Sequence, residues 1–153
     1  MSLKIQYSFI ELESKPDEAF PQKIKRTYPF IPIRLSCNDY FTPKFFALVD
    51  SGSTNCLFED GFRSCLNLKI EDGKKSMITG IGGATVTHYF YHINIEIFDS
   101  QILKVVHKIP VYAGFSEGKL AGGGLLGMDG FFNTFQVTFN LFKGFFELYK
   151  RGL

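Results

Sequence analysis

Apolar and polar residues alternate over short runs along most of this chain, and Gly and Pro residues punctuate the runs, which is the pattern of half-buried strands joined by turns. Ile31, Ile33 and Leu35 alternate with Pro32 and Arg34. Asn38-Asp39 then turns the chain into Phe45-Phe46-Ala47-Leu48-Val49, predicting a hairpin that ends at Asp50. Between His88 and Ile97, Tyr89, Tyr91, Ile93, Ile95 and Ile97 mark one face and a more polar set the other, predicting a long strand with one side buried and the other partly wet. Lys108 to Tyr112 reads as a further strand. Val137 to Asn140 and Phe145 to Tyr149 read as a closing hairpin across Lys143-Gly144, and Lys4 to Ile10 as an N-terminal strand. Helical spacing is scarce: Phe58, Phe62, Cys65 and Leu66 predict one short helix, and Asp129 to Phe135 a helical turn.

Composition agrees with this all-β expectation. Eighteen phenylalanines and seven tyrosines in 153 residues favour strands, and the length suits one domain with a sizeable core rather than two enzyme lobes. Residues 1–27, with a polar stretch holding Pro16, Asp17, Glu18 and Pro21, are expected to form an extension or edge element, and 28–153 the domain. The formal charge of +2 is interspersed. Only Lys23-Ile24-Lys25-Arg26 resembles a basic cluster, better read as a solvated turn, so nucleic acid is not an expected partner. Cys37, Cys56 and Cys65 form neither a C-x-x-C pair nor an even set, which argues against a zinc site or disulfide framework and for a reducing compartment. No apolar run is long enough to span a bilayer, and the first residues lack a signal-peptide pattern. The expectation is a cytoplasmic protein without cofactor, metal or membrane partner.

Candidate chemistry begins at Asp50-Ser51-Gly52-Ser53, a hydroxyl-rich glycine turn at the end of an apolar strand. A carboxylate that activates water needs a fixed orientation, which such a turn can supply. The turn alone is a common one; two later features give it context. Met77 to Val86 places Gly80, Gly82 and Gly83 around Ile81 between two strand-like arms, the composition of a mobile hairpin tip. Leu125-Leu126-Gly127-Met128-Asp129 follows a glycine-rich connection, Gly122-Gly123-Gly124.

In this order and spacing, the three features resemble the retropepsin-like aspartic proteases, single-lobed relatives of pepsin, over roughly Tyr28 to Tyr149. The resemblance implies a closed β-barrel or sandwich with a flap hairpin. It implies Asp50 as the catalytic aspartate, with Ser51 making hydroxyl contacts that lock two active-site loops together. Gly52 and Ser53 would complete the turn, Ser53 hydrogen-bonding the carboxylate. Ile78, Gly80, Ile81, Gly82 and Gly83 would belong to a substrate-binding flap, and Leu125, Leu126 and Gly127 would pack behind the active-site loop. Retroviral members usually carry Arg after that glycine; here Met128 stands there, so an Arg-based dimer contact is not implied.

Such chemistry needs two carboxyl groups sharing one proton around a water molecule, and the sequence holds no second D-S-G or D-T-G. The resemblance therefore implies a homodimer whose two Asp50 side chains form the pair, acting on an extended polypeptide with apolar or aromatic residues near the cut, with an acidic to near-neutral optimum. The Phe-rich C-terminal hairpin is a candidate for the subunit contact. The competing expectation is an inactive module of the same fold that dimerises or binds peptides. Other motifs carry less. Gly114-Phe115-Ser116-Glu117-Gly118 matches G-x-S-x-G, but no histidine follows it, so a surface loop is expected. His88 and His92 share a strand face too far apart to chelate one ion. Gly122-Gly123-Gly124 lacks the Lys-Ser/Thr of a phosphate loop, and Asp129 is expected to cap the helical turn or pair locally.

Overall fold

The computed structural model of the chain describes residues 4–118 and 120–150, and strands account for 54% of it. In chain order they are β1 (Lys4–Ser8), β2 (Ile10–Glu13), β3 (Lys25–Tyr28), β4 (Phe30–Cys37), β5 (Tyr40–Phe41), β6 (Phe45–Val49) and β7 (Leu57–Glu59). After a short helix, α1 (Gly61–Cys65), come β8 (Lys74–Thr79), β9 (Thr85–Phe98), β10 (Val105–Ser116), β11 (Gly124–Leu126), β12 (Phe135–Asn140) and β13 (Phe145–Lys150). Strands β4, β6, β11, β7, β10 and β9 pair in that order, and β9 returns to β4, closing a six-stranded barrel. The expected all-β class with few short helices is what the chain forms.

Closure sets the core. The register places Ile33 opposite Ile97 and Leu35 opposite Ile95, and all four are fully buried. They join Phe58, Phe115, Phe131 and Phe146 in one apolar cluster. On the other face of the same register, Arg34 Nε and Nη2 both donate to Glu96 Oε1, at 3.0 and 2.8 Å. The Arg34 guanidinium also lies 4.4 Å from the Phe41 ring centroid, which keeps this nearly buried carboxylate compensated. Strand β9 accordingly differs from its expected half-wet pattern. Glu96 and Phe98 are buried as well as the isoleucines in its second half, which β4 and β10 flank on both edges, and Phe90 is buried between β8 and β10.

A second sheet, in the order β1-β13-β12, lies beside the barrel. Ile5 and Tyr7 of β1 belong to the main core cluster, and the Tyr7 hydroxyl donates to Phe98 O at 2.6 Å. Burial raises the Tyr7 pKa above its ordinary value. Within residues 1–27, β1 is thus packed into the core, while β2 and β3 form an exposed two-stranded ribbon. Two local expectations are corrected. Phe58 is not helical: it sits in β7, whose backbone bonds to both β10 and β11, and its ring packs against Phe115, so sheet pairing overrides the helical spacing and leaves only Gly61–Cys65 as helix. Gly114 to Ser116 are not a surface loop. They end β10 in parallel pairing with β7, and Phe115 and Ser116 are buried.

Two histidines tie this packing to pH. His88 is 4% exposed, with Nδ1 3.2 Å from Val86 O and Nε2 unpartnered among the described residues. His107 Nε2 is likewise buried and unpartnered, and its ring packs edge-on against Phe135. Desolvation lowers both pKa values, with Lys150 adding to the effect at His107. The unfolded chain therefore takes up these protons first. Their contribution to stability is complete above the unfolded pKa of about 6.5 and is lost as pH falls from there through the lower folded values. Thermal unfolding followed from pH 7 downward is expected to show a falling midpoint, with His88→Phe and His107→Phe each flattening the slope; an unchanged slope in both variants would refute the assignment.

Candidate active site

The turn after β6 is held by the main chain of another segment. Strand β11 runs parallel to β6, pairing Leu125 with Leu48 and Leu126 with Val49. Beyond that pairing, Asp50 N donates to Leu126 O at 3.0 Å, Met128 N to Ser53 O at 2.8 Å and Asp129 N to Thr54 O at 2.8 Å. The two ends of the Asp50-Ser51-Gly52-Ser53 turn are therefore tied to the chain that runs from Leu126 to Asp129. Leu126 and Gly127 are buried there, and Leu125 is half-buried. Gly127 has no alternative at this contact: an added Cβ would stand 2.2 Å from Asn55 O and 2.5 Å from Ser53 O, both backbone atoms.

Within the turn, Asp50 is half-buried and its Oδ1 accepts the Gly52 N–H at 2.9 Å, while Ser53 N donates to Asp50 O at 3.1 Å. One carboxylate oxygen is thus oriented by the turn itself. The hydroxyl of Ser53 does not reach the carboxylate in this chain. It donates to Asn55 O at 2.7 Å, two residues on, and stiffens the turn instead. Ser51 and Gly52 are exposed. Behind the turn, Cys56 is buried with Sγ 3.5 Å from Asp129 O, and burial pushes its thiol pKa up to about 11, so it is a packed, protonated thiol rather than a nucleophile.

The glycine-rich segment forms the connection of the β8–β9 hairpin. Ile78 pairs with Val86 and Thr79 with Thr85. The tip closes with Gly80 N donating to Ala84 O at 2.9 Å and Gly83 N to Gly80 O at 3.1 Å, with Gly82 and Gly83 at φ of 96° and 86°. Ile81 at the tip is fully exposed, Met77 and Val86 are largely so, and Ile78 is half-buried. Apolar side chains on a bare hairpin tip are poised to meet something other than this single chain. At the hairpin base a hollow of about 320 Å³ lies between Val86, Thr87 and Tyr89 on one side and Asp60, Ser116 and Glu117 on the other.

Among the described residues, no second carboxylate hydrogen-bonds Asp50, and no group of three or more His, Cys, Asp or Glu side chains could hold a metal ion. No helix of the described residues is long and apolar enough to cross a membrane. His88 and His92 have separate surroundings, the first buried and the second tilted against the Tyr112 ring with centroids 4.6 Å apart. Asp129 neither caps the irregular helical turn Met128–Phe132 nor pairs locally; its side chain is exposed and makes no hydrogen bond or ion pair with the described residues. Beside it opens a groove that the sequence did not announce, lined by Asn55, Tyr112, Asp129 and Asn133. Its walls come from three separate segments, with Asn55 more than fifty residues before the other two, so no local pattern could have marked it.

No protein-family model and no curated protein sequence matches the chain. Among solved structures it is similar to a retropepsin-like aspartic protease from Rickettsia conorii, with a TM-score of 0.59 at 12% identity, covering 98% of this chain and 92% of that one. The chain has a retropepsin-like fold.

The contact at Gly127 yields a test of the local architecture. Gly127→Ala must push one backbone segment off another and is expected to cost about 3 kcal/mol, read by chemical denaturation. At Gly61 in α1 an added Cβ meets nothing within 4 Å, so Gly61→Ala is expected to be neutral or to stabilise by about 0.5–1 kcal/mol. Equal effects at the two sites would contradict the geometry.

Proposed function

We propose that the protein is an aspartic endopeptidase whose active form is a homodimer, the two Asp50 side chains forming one catalytic pair. The observation that carries this reading is the turn itself. A carboxylate is oriented by Gly52 N–H on a loop that three backbone hydrogen bonds clamp to the chain between Leu126 and Asp129, on a fold shared with a retropepsin-like aspartic protease. One chain supplies one such group, so the site is incomplete without a second copy. Support for association comes from β12, which is an outer strand of its sheet among the described residues and carries exposed Phe139 beside exposed Leu141 and Phe142.

In this mechanism the two carboxyl groups hold one proton between them. The ionised member takes a proton from a bound water, and the protonated member donates its own to the scissile carbonyl oxygen as the hydroxyl adds to the carbon. The resulting tetrahedral diol collapses when the protonated carboxyl gives its proton to the amide nitrogen and the other takes one from a diol hydroxyl as the C–N bond breaks, which restores one proton to the pair. Two facing carboxylates cannot both ionise readily, so activity follows a bell-shaped pH profile with an acidic to near-neutral maximum. Ser51 would sit at the seam between the two loops. The β8–β9 hairpin, with Ile78, Ile81 and Val86, would close over an extended peptide and offer backbone hydrogen bonds along it.

The experiment is hydrolysis of an unstructured protein at mildly acidic pH, with sedimentation of the same samples. Wild type is expected to sediment as a dimer and to cut. Asp50→Asn is expected to remain a dimer and to cut about a thousandfold more slowly or not at all. Equal behaviour of the two proteins towards many unfolded substrates would overturn the enzymatic reading in favour of an inactive peptide-binding or dimerisation module.

A further inference from the structure

The groove beside the catalytic turn has a chemistry of its own. It encloses about 530 Å³, ample for one long side chain, between the end of the turn at Asn55, the middle of β10 and the helical turn after β11. Most of the polar groups around it are already committed. The Thr134 hydroxyl donates to Gly130 O at 2.9 Å, and Asn133 Oδ1 accepts Gly130 N–H at 3.0 Å. Three polar side chains remain without a hydrogen-bond partner among the described residues: the Asp129 carboxylate, the Asn55 amide and the Tyr112 hydroxyl. A carboxylate can only accept, so a ligand that satisfies it must donate.

The opposite wall is aromatic. Tyr112 is 43% exposed and its ring is backed by His92 at 4.6 Å and Phe90 at 5.3 Å between centroids. That backing holds the ring in place. A half-open phenol ring and an unpaired carboxylate in one groove together suit a cation, and Pro110 and Val111 of the same lining offer apolar contact for a methylene stem. Among the described residues no cation pairs with the carboxylate, and Lys108, two residues before Pro110 on the same strand, forms no ion pair with it. A neutral apolar side chain would leave Asp129 and Asn55 unsatisfied under cover, which costs free energy that a guanidinium or ammonium group would recover.

We propose that this groove is a specificity site for an arginine or lysine side chain of the bound polypeptide, with Asp129 as the charge-recognising residue and Tyr112 and Asn55 orienting the cation. The inference rests on the peptidase reading for why a polypeptide lies along the turn. Asn55 both lines the groove and anchors the turn through its carbonyl, so the groove adjoins the turn, and on that reading a chain over Asp50 would meet it at a residue removed from the cut. The expected substrate is then apolar near the scissile bond and basic at one position to one side of it.

The test uses isotope-labelled Asp50→Asn protein, full chain, and neutral peptides of apolar sequence in which a single arginine is walked through the positions, with a norleucine peptide at each position as reference. One position is expected to bind roughly three- to tenfold tighter with arginine than with norleucine, and to shift the Gly130 amide and Asn55 side-chain signals. Adding Asp129→Asn is expected to bring that ratio to about one, and Tyr112→Leu to reduce it, while well-dispersed spectra show that both variants fold. No position dependence, no binding of any peptide, or a ratio that survives Asp129→Asn overturns the proposal. Cleavage of the same peptides by wild type separates the two readings: an arginine effect in binding with every peptide left uncut sinks the peptidase reading and leaves the groove standing, whereas cleavage without an arginine effect does the reverse.

Discussion

Backbone-to-backbone contact between the Asp50 turn and the Leu125–Gly127 segment is the constraint on which the rest of the site depends. Three hydrogen bonds, from Asp50, Met128 and Asp129 N–H groups to carbonyls across the seam, continue the parallel pairing of β6 with β11 past the ends of both strands. Each is worth only about 1 kcal/mol net, yet together they remove the freedom of a loop that would otherwise wander. They form only because residue 127 has no side chain. The carboxylate is consequently placed by main-chain geometry, and Ser53, whose hydroxyl is spent on Asn55 O, contributes by stiffening the turn rather than by touching the acid.

Around that rigid seam the molecule grades into surfaces that a single chain leaves unfinished. The barrel closes on itself through β9 and β4, and its interior is filled by aliphatic and phenylalanine side chains, so its edges are satisfied. The β8–β9 hairpin, by contrast, projects exposed Met77, Ile81 and Val86, and the β12–β13 hairpin ends in exposed Leu141 and Phe142. These two apolar surfaces and the lone carboxylate are accounted for together by one proposal, a second copy meeting the first so that the acids face each other.

Much of the fold could be read from the chain because its signals are local. Alternation around Ile31–Leu35 and Ile93–Ile97, the turn residues Asn38 and Gly144, and the glycines at 80–83 each act within a few residues, and the strands and hairpins they announce are present. What could not be read depends on partners distant in sequence. Phe58 has helical spacing with Phe62 and Leu66, but pairing of β7 with both β10 and β11 makes it a strand residue. Ser116 has the neighbours of a loop serine, yet parallel pairing with Glu59 buries it. The polar groups of the groove, Asn55, Tyr112 and Asp129, converge only because β10 runs beside β7 and β11 returns to the turn. The Asp50 turn was legible as a candidate from its composition, and the resemblance put Leu125, Leu126 and Gly127 behind it; the backbone hydrogen bonds that join the two segments were not legible.

The most direct measurement of the central claim is a crystal structure of the assembled protein at the pH of maximal activity. The account predicts a two-fold axis passing between the two Asp50 turns, with carboxylate oxygens of both subunits within hydrogen-bonding reach of one shared water. An assembly in which the Asp50 side chains lie on separate surfaces, with the turns facing solvent in every contact between copies, would contradict it.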